Sequence, residues 1–362
     1  MSGEDTRFMA LALALGARGH GRVWPNPAVG CVIVNDGRIV GRGWTQPGGR
    51  PHGETVALAQ AGEAARGATA YVTLEPCAHH GRTPPCAEAL VRAGVARVVT
   101  AMEDPDPRVS GRGHAILMAA GIEVETGVLA EDARASHAGF LSRVERGRPW
   151  VSVKLAMSFD GRIATSTGES QWITGPEARR WVHAGRARHD AVLVGGGTAR
   201  ADDPTLTVRG LGVSHQPVRV VASRRLDLPL DGNLAKSARE VPLWLLHAEG
   251  APGTAEWNDL GARLLPVAEA EGGLDAPAML TALGSAGLTR VFCEGGGALV
   301  AALLKADLVD ELIGITAGLA LGSDGRAGIG PLGLDALADA RRFVLTEARD
   351  LGGDVLHVWH KG

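Results

Sequence analysis

A histidine and two cysteines have the residue types and the order of a catalytic zinc site. His52 precedes a segment of helical composition, Cys77 follows the apolar run that ends at Leu74, and Cys86 follows two prolines. One imidazole and two thiolates leave the fourth position of a tetrahedral zinc ion open, which is the catalytic rather than the structural arrangement. Water in that position has its pKa lowered toward neutrality. We therefore predict that His52, Cys77 and Cys86 bind one Zn²⁺.

Glu54, two residues after His52, is the predicted proton carrier of this site. A carboxylate there can take a proton from the bound water and deliver it to a leaving amine. H-x-E followed by P-C-x-x-C is the signature of zinc-dependent nucleobase deaminases, although eight residues rather than two separate the cysteines here. A single H-x-E arises by chance in many proteins, so the interpretation depends on all four residues. His79 and His80 are alternative ligands, substrate contacts or ordinary loop residues.

Two glycine clusters in the second half of the chain indicate a phosphate-binding site. Gly195–Gly197 follows the apolar run Ala191–Val194, and Gly295–Gly297 follows Val291–Cys293. A strand that runs through glycines into a helix presents backbone N–H groups where pyrophosphate can bind. Tight turns also use glycine, which occurs 51 times in this chain, so each cluster alone is weak evidence. No G-x-G-x-x-G follows the first strand of either half, which argues against the ordinary dinucleotide-binding fold.

The segments that must position these residues alternate between helical and strand-like patterns. In the first part of the chain, helices are expected at 5–17, 53–65, 87–93 and 131–144, with strands at 28–34, 38–43, 70–74 and 97–101, and a further helix and strand end near Val124. The turn Asn35-Asp36-Gly37 predicts a hairpin between the first two strands. Repeated alternation of strands and helices implies a three-layer α/β domain with a largely parallel central sheet.

The polar segment Arg146–Pro149 is the predicted linker, so we expect domains at 1–146 and 147–362. Beyond it, strands are expected at 150–157, 191–194, 218–222, 243–247 and 290–293, a helix begins at Pro176, and 342–347 and 355–360 form an antiparallel pair. The second domain is therefore expected to be a mixed sheet with crossover helices.

Composition limits the classes of function. With 37 basic and 40 acidic residues, the net charge of −3 excludes a polybasic nucleic-acid binder. We expect neither a transmembrane segment nor a secretory signal. Four cysteines in 362 residues are too few for a disulfide scaffold, so we expect a cytoplasmic protein. Cys31 and Cys293 lie in apolar runs and are expected to be buried hydrophobic residues.

Six motifs carry a resemblance to a known family. TLEPCAHHGRTPPC (73–86), WPNPAVGCVIV (24–34), EDPDPRVSGRG (103–113), VKLAMSFDGRIAT (153–165), GESQWIT (168–174) and GTARADDPTLTVR (197–209) resemble the bifunctional riboflavin-biosynthesis deaminase/reductase family. That family joins a cytidine-deaminase-like domain to a dihydrofolate-reductase-like domain, and its cysteines have the eight-residue spacing. The chain departs from the family at Gly53, usually alanine, at Trp44, where a histidine is usual, and at Asp106, usually asparagine.

The resemblance implies roles for further residues. Asn26 would contact the substrate ring, because an amide presents a donor and an acceptor together; the alternative is a turn residue between two prolines. The nicotinamide cofactor would be bound by Ala156, Trp172, Thr198, Asp202, Ser223, Gly296, Gly297, Ala298 and Leu299. The ribosylamino-pyrimidine phosphate would be bound by Ser170, Arg186, Leu206, Arg209 and Glu294.

Two of these expectations concern the chemistry of reduction. Ser223, together with Arg224 and Arg225, would read the 2′-phosphate that distinguishes NADPH from NADH. Lys154 is one of only four lysines in a chain that otherwise uses arginine. Its compact ammonium, paired with Asp202, would polarise the opening ribose at the carbon that accepts hydride.

The resemblance thus implies a bifunctional enzyme. The first domain would deaminate 2,5-diamino-6-ribosylamino-4(3H)-pyrimidinone 5′-phosphate with zinc, and the second would reduce the ribosyl group to ribityl with NADPH. We expect a homo-oligomer, a dimer or a tetramer, without nucleic-acid or membrane partners. One alternative is a single-activity nucleoside or tRNA deaminase with a non-catalytic second domain, which the one tyrosine and five phenylalanines disfavour. Another is a zinc-stabilised dinucleotide sensor, in which His79 or His80 fills the fourth zinc position.

Overall fold

The computed structural model describes residues 3–80, 84–107 and 109–362. The chain divides into two compact units, Met1–Gly147 and Arg148–Gly362, and this division lies inside the predicted linker. Residues 81–83 of the 73–86 motif and Arg108 of the 103–113 motif lie outside the described residues. Among the described residues, no helix combines the length and apolarity needed to span a membrane.

The first unit is a five-stranded sheet with helices on both faces. Its strands are β1 (Gly30–Asn35), β2 (Arg38–Trp44), β3 (Thr69–Val72), β4 (Arg97–Thr100) and β5 (Glu123–Thr126), and its helices are α1 (Gly3–Gly16), α2 (Gly53–Ala61), α3 (Cys86–Ala93), α4 (Arg112–Ala119) and α5 (Ala130–Arg146). The strand order is β2-β1-β3-β4-β5. Short 3-10 turns cover Ala17–Gly19, Pro47–Gly49 and Gly62–Ala65.

The expectation of a largely parallel sheet applies to only part of this unit. Strands β3, β4 and β5 are parallel, whereas β1 is antiparallel to both of its neighbours, β2 and β3. The tight turn after Asn35 forces β1 and β2 to be antiparallel. Helix α2 then connects β2 to β3 by crossing over β1. Strand β1 therefore lies between two strands that run in the opposite direction to it.

The second unit is built on a nine-stranded mixed sheet, and four further short strands form two separate pairs. The strands of this unit are β6 (Trp150–Ser158), β7 (Arg162–Ala164), β8 (Ala191–Gly195), β9 (Val218–Ala222), β10 (Leu243–Ala248), β11 (Arg263–Val267), β12 (Glu269–Ala270), β13 (Gly273–Leu274), β14 (Arg290–Cys293), β15 (Glu311–Ala317), β16 (Arg326–Ala327), β17 (Phe343–Leu351) and β18 (Asp354–Lys361). The two separate pairs are β12 with β13 and β7 with β16. The helices of this unit are α6 (Pro176–Ala187), α7 (Gly196–Asp202), α8 (Asn233–Lys236), α9 (Thr254–Asp259), α10 (Ala276–Ser285) and α11 (Gly297–Lys305), with a 3-10 turn at Leu337–Asp339. The predicted mixed sheet with crossover helices is confirmed.

The order of strands in this sheet brings the predicted site residues to one edge. The order is β11-β10-β9-β8-β14-β6-β15-β18-β17, and the strands from β11 to β15 are parallel. Strands β8, β14 and β6 are direct neighbours, so the two glycine clusters at the carboxyl ends of β8 and β14 lie beside Lys154 in the middle of β6. Ligands of parallel sheets bind at this carboxyl edge.

Both predicted core cysteines are buried in these sheets. Cys31 in β1 and Cys293 in β14 have no exposed surface, and burial raises the pKa of the Cys293 thiol to about 12. Their interpretation as small hydrophobic residues is confirmed.

Candidate active sites

The three predicted metal ligands converge in the first unit. Nδ1 of His52 lies 3.6 Å from Sγ of Cys77 and 3.4 Å from Sγ of Cys86. A tetrahedral zinc ion, with bonds of about 2.0–2.1 Å to nitrogen and about 2.3 Å to sulfur, would separate such atoms by about 3.6 Å. Within the described part of the chain, this is the one group of histidine, cysteine or acidic residues whose ligand atoms meet closely enough to hold a metal ion. The donor set and its spacing therefore fit zinc.

Local structure places two of the three ligands at the start of a helix. His52 is the N-cap of α2, and Cys86 is the first residue of α3. Glycines let α2 lie directly on β2, since a Cβ at Gly43 would stand 2.1 Å from the carbonyl oxygen of Gly53 and a Cβ at Gly41 would stand 2.2 Å from that of Ala57. A larger residue at either position would push the first turn of α2, with His52, away from the cysteines.

The charges at this cluster favour a cationic ligand. The hydrogen bond from the Cys86 thiol, with a further one from His52, lowers the pKa of Cys77 to about 4. The same hydrogen bond raises the pKa of Cys86, and the hydrogen bond with Cys77 raises the pKa of His52. One sulfur is thus an anion near neutral pH, and a thiolate is the form that binds metals.

Glu54 lies beside the ligands as the sequence predicts. It is 3% exposed, and burial raises the pKa of its carboxyl group. No hydrogen-bond donor among the described residues reaches its buried Oε2 atom. Buried carboxylate oxygens are normally satisfied, so an unpartnered one at a cleft is available to a ligand or a water molecule. A carboxyl group at such a position can accept a proton from a ligand and release it again.

A cleft of about 330 Å³ opens over Glu54 and His52, and Asn26 is in its wall. Gly49, at φ +83°, packs so closely on Asn26 that a Cβ would stand 1.8 Å from Nδ2. The amide is therefore held in the cleft rather than turned to solvent. Thr45 lines the cleft, whereas Trp44 does not. The centre of the Trp44 ring lies 5.0 Å from the guanidinium carbon of Arg18. The departure at Trp44 thus does not remove a contact from the cleft wall.

The two rival histidines do not join the metal cluster. His80 is exposed and lies 3.4 Å from Glu88. His79 is part of the cleft wall, and its buried Nδ1 atom has no hydrogen-bond partner among the described residues. Neither belongs to the group of converging ligand atoms. Of the earlier possibilities, substrate contact fits His79 and a loop residue fits His80.

Glu75 is a site residue that sequence reasoning missed. It is 3% exposed, and its two carboxylate oxygens accept four backbone hydrogen bonds of 2.8–3.3 Å. The donors are the N–H groups of Asp104, Gly111, Gly113 and His114. These bonds hold the segment that contributes Asp104, Asp106 and Val109 to the cleft wall. Glu75 directly precedes Pro76-Cys77 of the zinc motif, and this position was the sequence feature that could have identified it as a site residue.

The second site centres on one buried carboxylate and two cations. Arg186 binds Glu294 through two hydrogen bonds of 2.5 and 3.0 Å, and Nζ of Lys154 lies 3.8 Å from Oε2 of Glu294. All three side chains are less than 15% exposed. Burial lowers the pKa of Lys154, while Arg186 and Lys154 together hold the pKa of Glu294 below its usual value despite its burial. The sequence predicted these three residues to act in one domain, and the structure brings them together.

The predicted partner of Lys154 is wrong. Lys154 pairs with Glu294 rather than Asp202, and the charge that acts on Asp202 is that of Arg326. The register explains the difference. Cys293 of β14 lies opposite Val153 of β6, so the residues that follow each of them are neighbours.

Both glycine clusters line the same edge of the sheet. The N–H group of Gly296 donates to Oγ1 of Thr198 at 3.1 Å, which ties the turn after β14 to α7. A separate cleft of about 480 Å³ is bounded by Gly195–Gly197, Ser223, Ala298 and Leu299. Three of the predicted cofactor contacts, Ser223, Ala298 and Leu299, are among these residues, so the geometry fits a dinucleotide along this edge.

Other predicted contacts lie apart from this cleft. Trp172 is 67% exposed, with the guanidinium of Arg179 4.5 Å from its ring centre. Leu206 is buried, and Arg209 is exposed with its backbone N–H donating to Nδ1 of His183 at 3.2 Å. Ala156, Ser170, Gly296 and Gly297 are partly buried, and Asp202 is exposed. The roles of all these residues stay predictions.

Two family models match the chain. The model described as "Cytidine and deoxycytidylate deaminase zinc-binding region" matches residues 2–102, and "RibD C-terminal domain" matches residues 149–357. Each match falls within one of the two compact units, and the first contains all three predicted ligands, His52, Cys77 and Cys86.

Full-length relatives share both units. The "Riboflavin biosynthesis protein RibD" of Escherichia coli is 45% identical over 98% of this chain and 99% of its own length, and that of Aquifex aeolicus is 38% identical over 97% of both. The structure of Acinetobacter baumannii RibD, form 1, has a TM-score of 0.90 at 41% identity, covering 99% of both chains. A Thermotoga maritima diaminohydroxyphosphoribosylaminopyrimidine deaminase/5-amino-6-(5-phosphoribosylamino)uracil reductase has a TM-score of 0.88 at 32% identity with the same coverage.

Proposed function

Because the chain belongs to the RibD family of riboflavin-biosynthesis deaminase/reductases, we propose specific catalytic roles for its residues. The chain is a bifunctional enzyme with a zinc-dependent deaminase unit and a pyrimidine reductase unit. The substrate we propose is 2,5-diamino-6-ribosylamino-4(3H)-pyrimidinone 5′-phosphate, by analogy with the activity named for the Thermotoga relative. The convergence of His52, Cys77 and Cys86 beside Glu54 is the observation that carries this proposal.

In the deaminase unit, Glu54 moves the protons. His52, Cys77 and Cys86 would hold a zinc ion, which would activate water as the nucleophile. Glu54 accepts a proton from the attacking water through its unpartnered Oε2 atom and transfers it to the amine that leaves as ammonia. Asn26 presents both a donor and an acceptor to the ring, which orients the carbon that is attacked.

In the reductase unit, Lys154 and Glu294 hold the reacting end of the ribosyl group. NADPH supplies the hydride when bound. The ammonium of Lys154 is 14% exposed, and it stabilises negative charge that develops on the sugar oxygen. Glu294 keeps that ammonium in place, and Arg186 fixes Glu294 from the other side. This cluster disfavours the alternative of a non-catalytic second domain.

Metal removal separates the two activities. We expect the isolated protein to contain one zinc ion per chain by elemental analysis. Stripping it with a chelator should abolish ammonia release and leave NADPH-dependent reduction of the deaminated substrate unchanged, because the ligands all lie in the first unit. Cys77→Ala should lose zinc in the same way, and Cys31→Ala, in the core of that unit, should retain it. Full deamination by zinc-free protein would refute the assignment.

We also propose that the chain forms homo-oligomers through the second unit. The edge strand β17 exposes Val344 and Leu345, at 60% and 47%. An apolar hollow nearby includes Phe343 and Trp359. Long exposed edge strands with apolar side chains are normally covered. Light scattering in solution should therefore give a mass of at least two chains, and a monomer at micromolar concentration would contradict this proposal.

We propose a cytoplasmic location, because none of the four cysteines forms a disulfide and the cytoplasm keeps thiols reduced.

A further inference from the structure

The cleft between the glycine turn after β8 and the end of β9 contains one carboxylate among three arginines. Arg200, Arg224 and Arg225 line it together with Asp227. An excess of guanidinium groups suits a phosphate, because their planar donors match its oxygens. Asp227 is the exception, since a carboxylate repels a phosphate and offers it no donor.

Asp227 occupies the donors that a phosphate would need. Its Oδ1 atom accepts a hydrogen bond of 2.8 Å from Arg200 and one of 3.2 Å from Oγ of Ser223. The Ser223 hydroxyl has a single proton, so it cannot donate to Asp227 and to a ligand at the same time. Ser223 is 3% exposed, and a Cβ at Gly196 would stand 3.0 Å from its Oγ atom. The hydroxyl is therefore confined between the glycine turn and the carboxylate.

A second arginine of the cleft, Arg224, also forms an ion pair with a carboxylate. Arg224 lies 3.2 Å from Oε2 of Glu269. Glu269 belongs to β12 and is not part of the cleft wall, so this contact draws Arg224 toward the rim. Asp227 is thus the carboxylate within the wall itself, and it binds both a cation and a hydroxyl there.

We propose that Asp227 is a specificity-determining residue for the coenzyme, and that its carboxylate weakens the binding of a nicotinamide dinucleotide that carries a 2′-phosphate relative to one that carries a 2′-hydroxyl. The proposal rests on the proposed function, in which NADPH is the reductant, and on the prediction that Ser223, Arg224 and Arg225 of this cleft read its 2′-phosphate. A bound 2′-phosphate competes with Asp227 for the Ser223 hydroxyl and for Nη1 of Arg200, and it lies close to the negative charge of that carboxylate. A 2′-hydroxyl carries no charge and can donate its proton to the same carboxylate.

Asp227→Asn is the direct test. Asparagine keeps the shape and an acceptor oxygen but removes the charge. Arg200 and Asp227 are 43% and 56% exposed, and exposed ion pairs contribute little to stability, so the variant should fold like the wild type. The measurement is the Kd of the purified full chain for NADPH and for NADH, each by direct titration of coenzyme fluorescence. Asp231→Asn, an exposed aspartate four residues later, is the matched control.

The expected result is a change in selectivity. Asp227→Asn should bind NADPH about three- to tenfold more tightly, with the Kd for NADH changed by about twofold or less. The gain should shrink at high salt, because exposed charges are screened. Asp231→Asn should match the wild type for both coenzymes.

Two results would overturn the proposal in different ways. If the wild type binds NADPH but Asp227→Asn binds it no more tightly, or binds NADH more tightly by the same factor, Asp227 does not set selectivity and the coenzyme site still stands. If the wild type binds neither dinucleotide, the proposed coenzyme site fails and the inference fails with it.

Discussion

Glu54→Gln should lower the kcat of deamination by about 10²–10⁴-fold, the range that general acid–base catalysis contributes. Glutamine has nearly the same volume but can neither take a proton from water nor release one to the leaving amine. The carboxyl of Glu54 is buried, its pKa is raised by that burial, and its Oε2 atom has no donor among the described residues. Ammonia release from the pyrimidine phosphate, followed in a coupled assay, measures the effect.

Three controls make this result specific to proton transfer. The zinc content of Glu54→Gln should equal that of the wild type, because the ligands are His52, Cys77 and Cys86. NADPH-dependent reduction should be unchanged, because it takes place in the other unit. Glu63→Gln, at an exposed glutamate just after α2, should deaminate normally. A zinc-loaded Glu54→Gln enzyme with a kcat near that of the wild type would remove Glu54 from the mechanism.

Lys154→Met should lower the kcat of reduction by about 10²–10³-fold, the cost of removing one preorganised charged donor. Methionine fills a similar volume, and Glu294 keeps its two hydrogen bonds to Arg186, so no buried carboxylate is left unpaired. Lys154→Arg should also impair reduction, because the pocket holds a compact ammonium that is 14% exposed and a planar guanidinium cannot take its place. The rate of NADPH oxidation with the deaminated substrate measures both variants.

Deamination provides the internal standard for these variants. Both should release ammonia at the wild-type rate. Lys236→Met, which alters an exposed lysine of the same unit, should reduce normally. Thermal unfolding should show that the second unit of Lys154→Met remains folded. A folded Lys154→Met enzyme that reduces at the wild-type rate would show that Lys154 has no part in hydride transfer.

Much of the fold was predictable because its signals are local. Apolar runs of strand length, helical segments and the Asn35-Asp36-Gly37 turn each depend on neighbouring residues, and they placed the helices and strands of the first unit to within a few residues. The direction of β1 relative to β3 was not predictable in this way. It depends on which side of β1 the chain reaches after α2 has crossed the sheet, and no short sequence pattern specifies that position.

The contacts that sequence reasoning missed are all made across elements. Glu75 binds backbone N–H groups that lie 29 to 39 residues later in the chain. Asp227 meets Arg200 only because β8 and β9 are neighbours in the sheet. Lys154 was recognised from its residue type, but its partner was assigned wrongly since the β6–β14 register was unknown.

The sequence by itself determined the metal chemistry and the two-unit organisation. A histidine, two cysteines and a nearby carboxylate can do few things other than bind zinc and move protons, and residue type carries that information without coordinates. Only the tertiary structure decided which charges meet: Glu294 with Lys154, Asp227 with Arg200, and Glu75 with the cleft wall. Such pairings depend on strand order and register, which are set by the packing of the whole sheet rather than by the residues that pair.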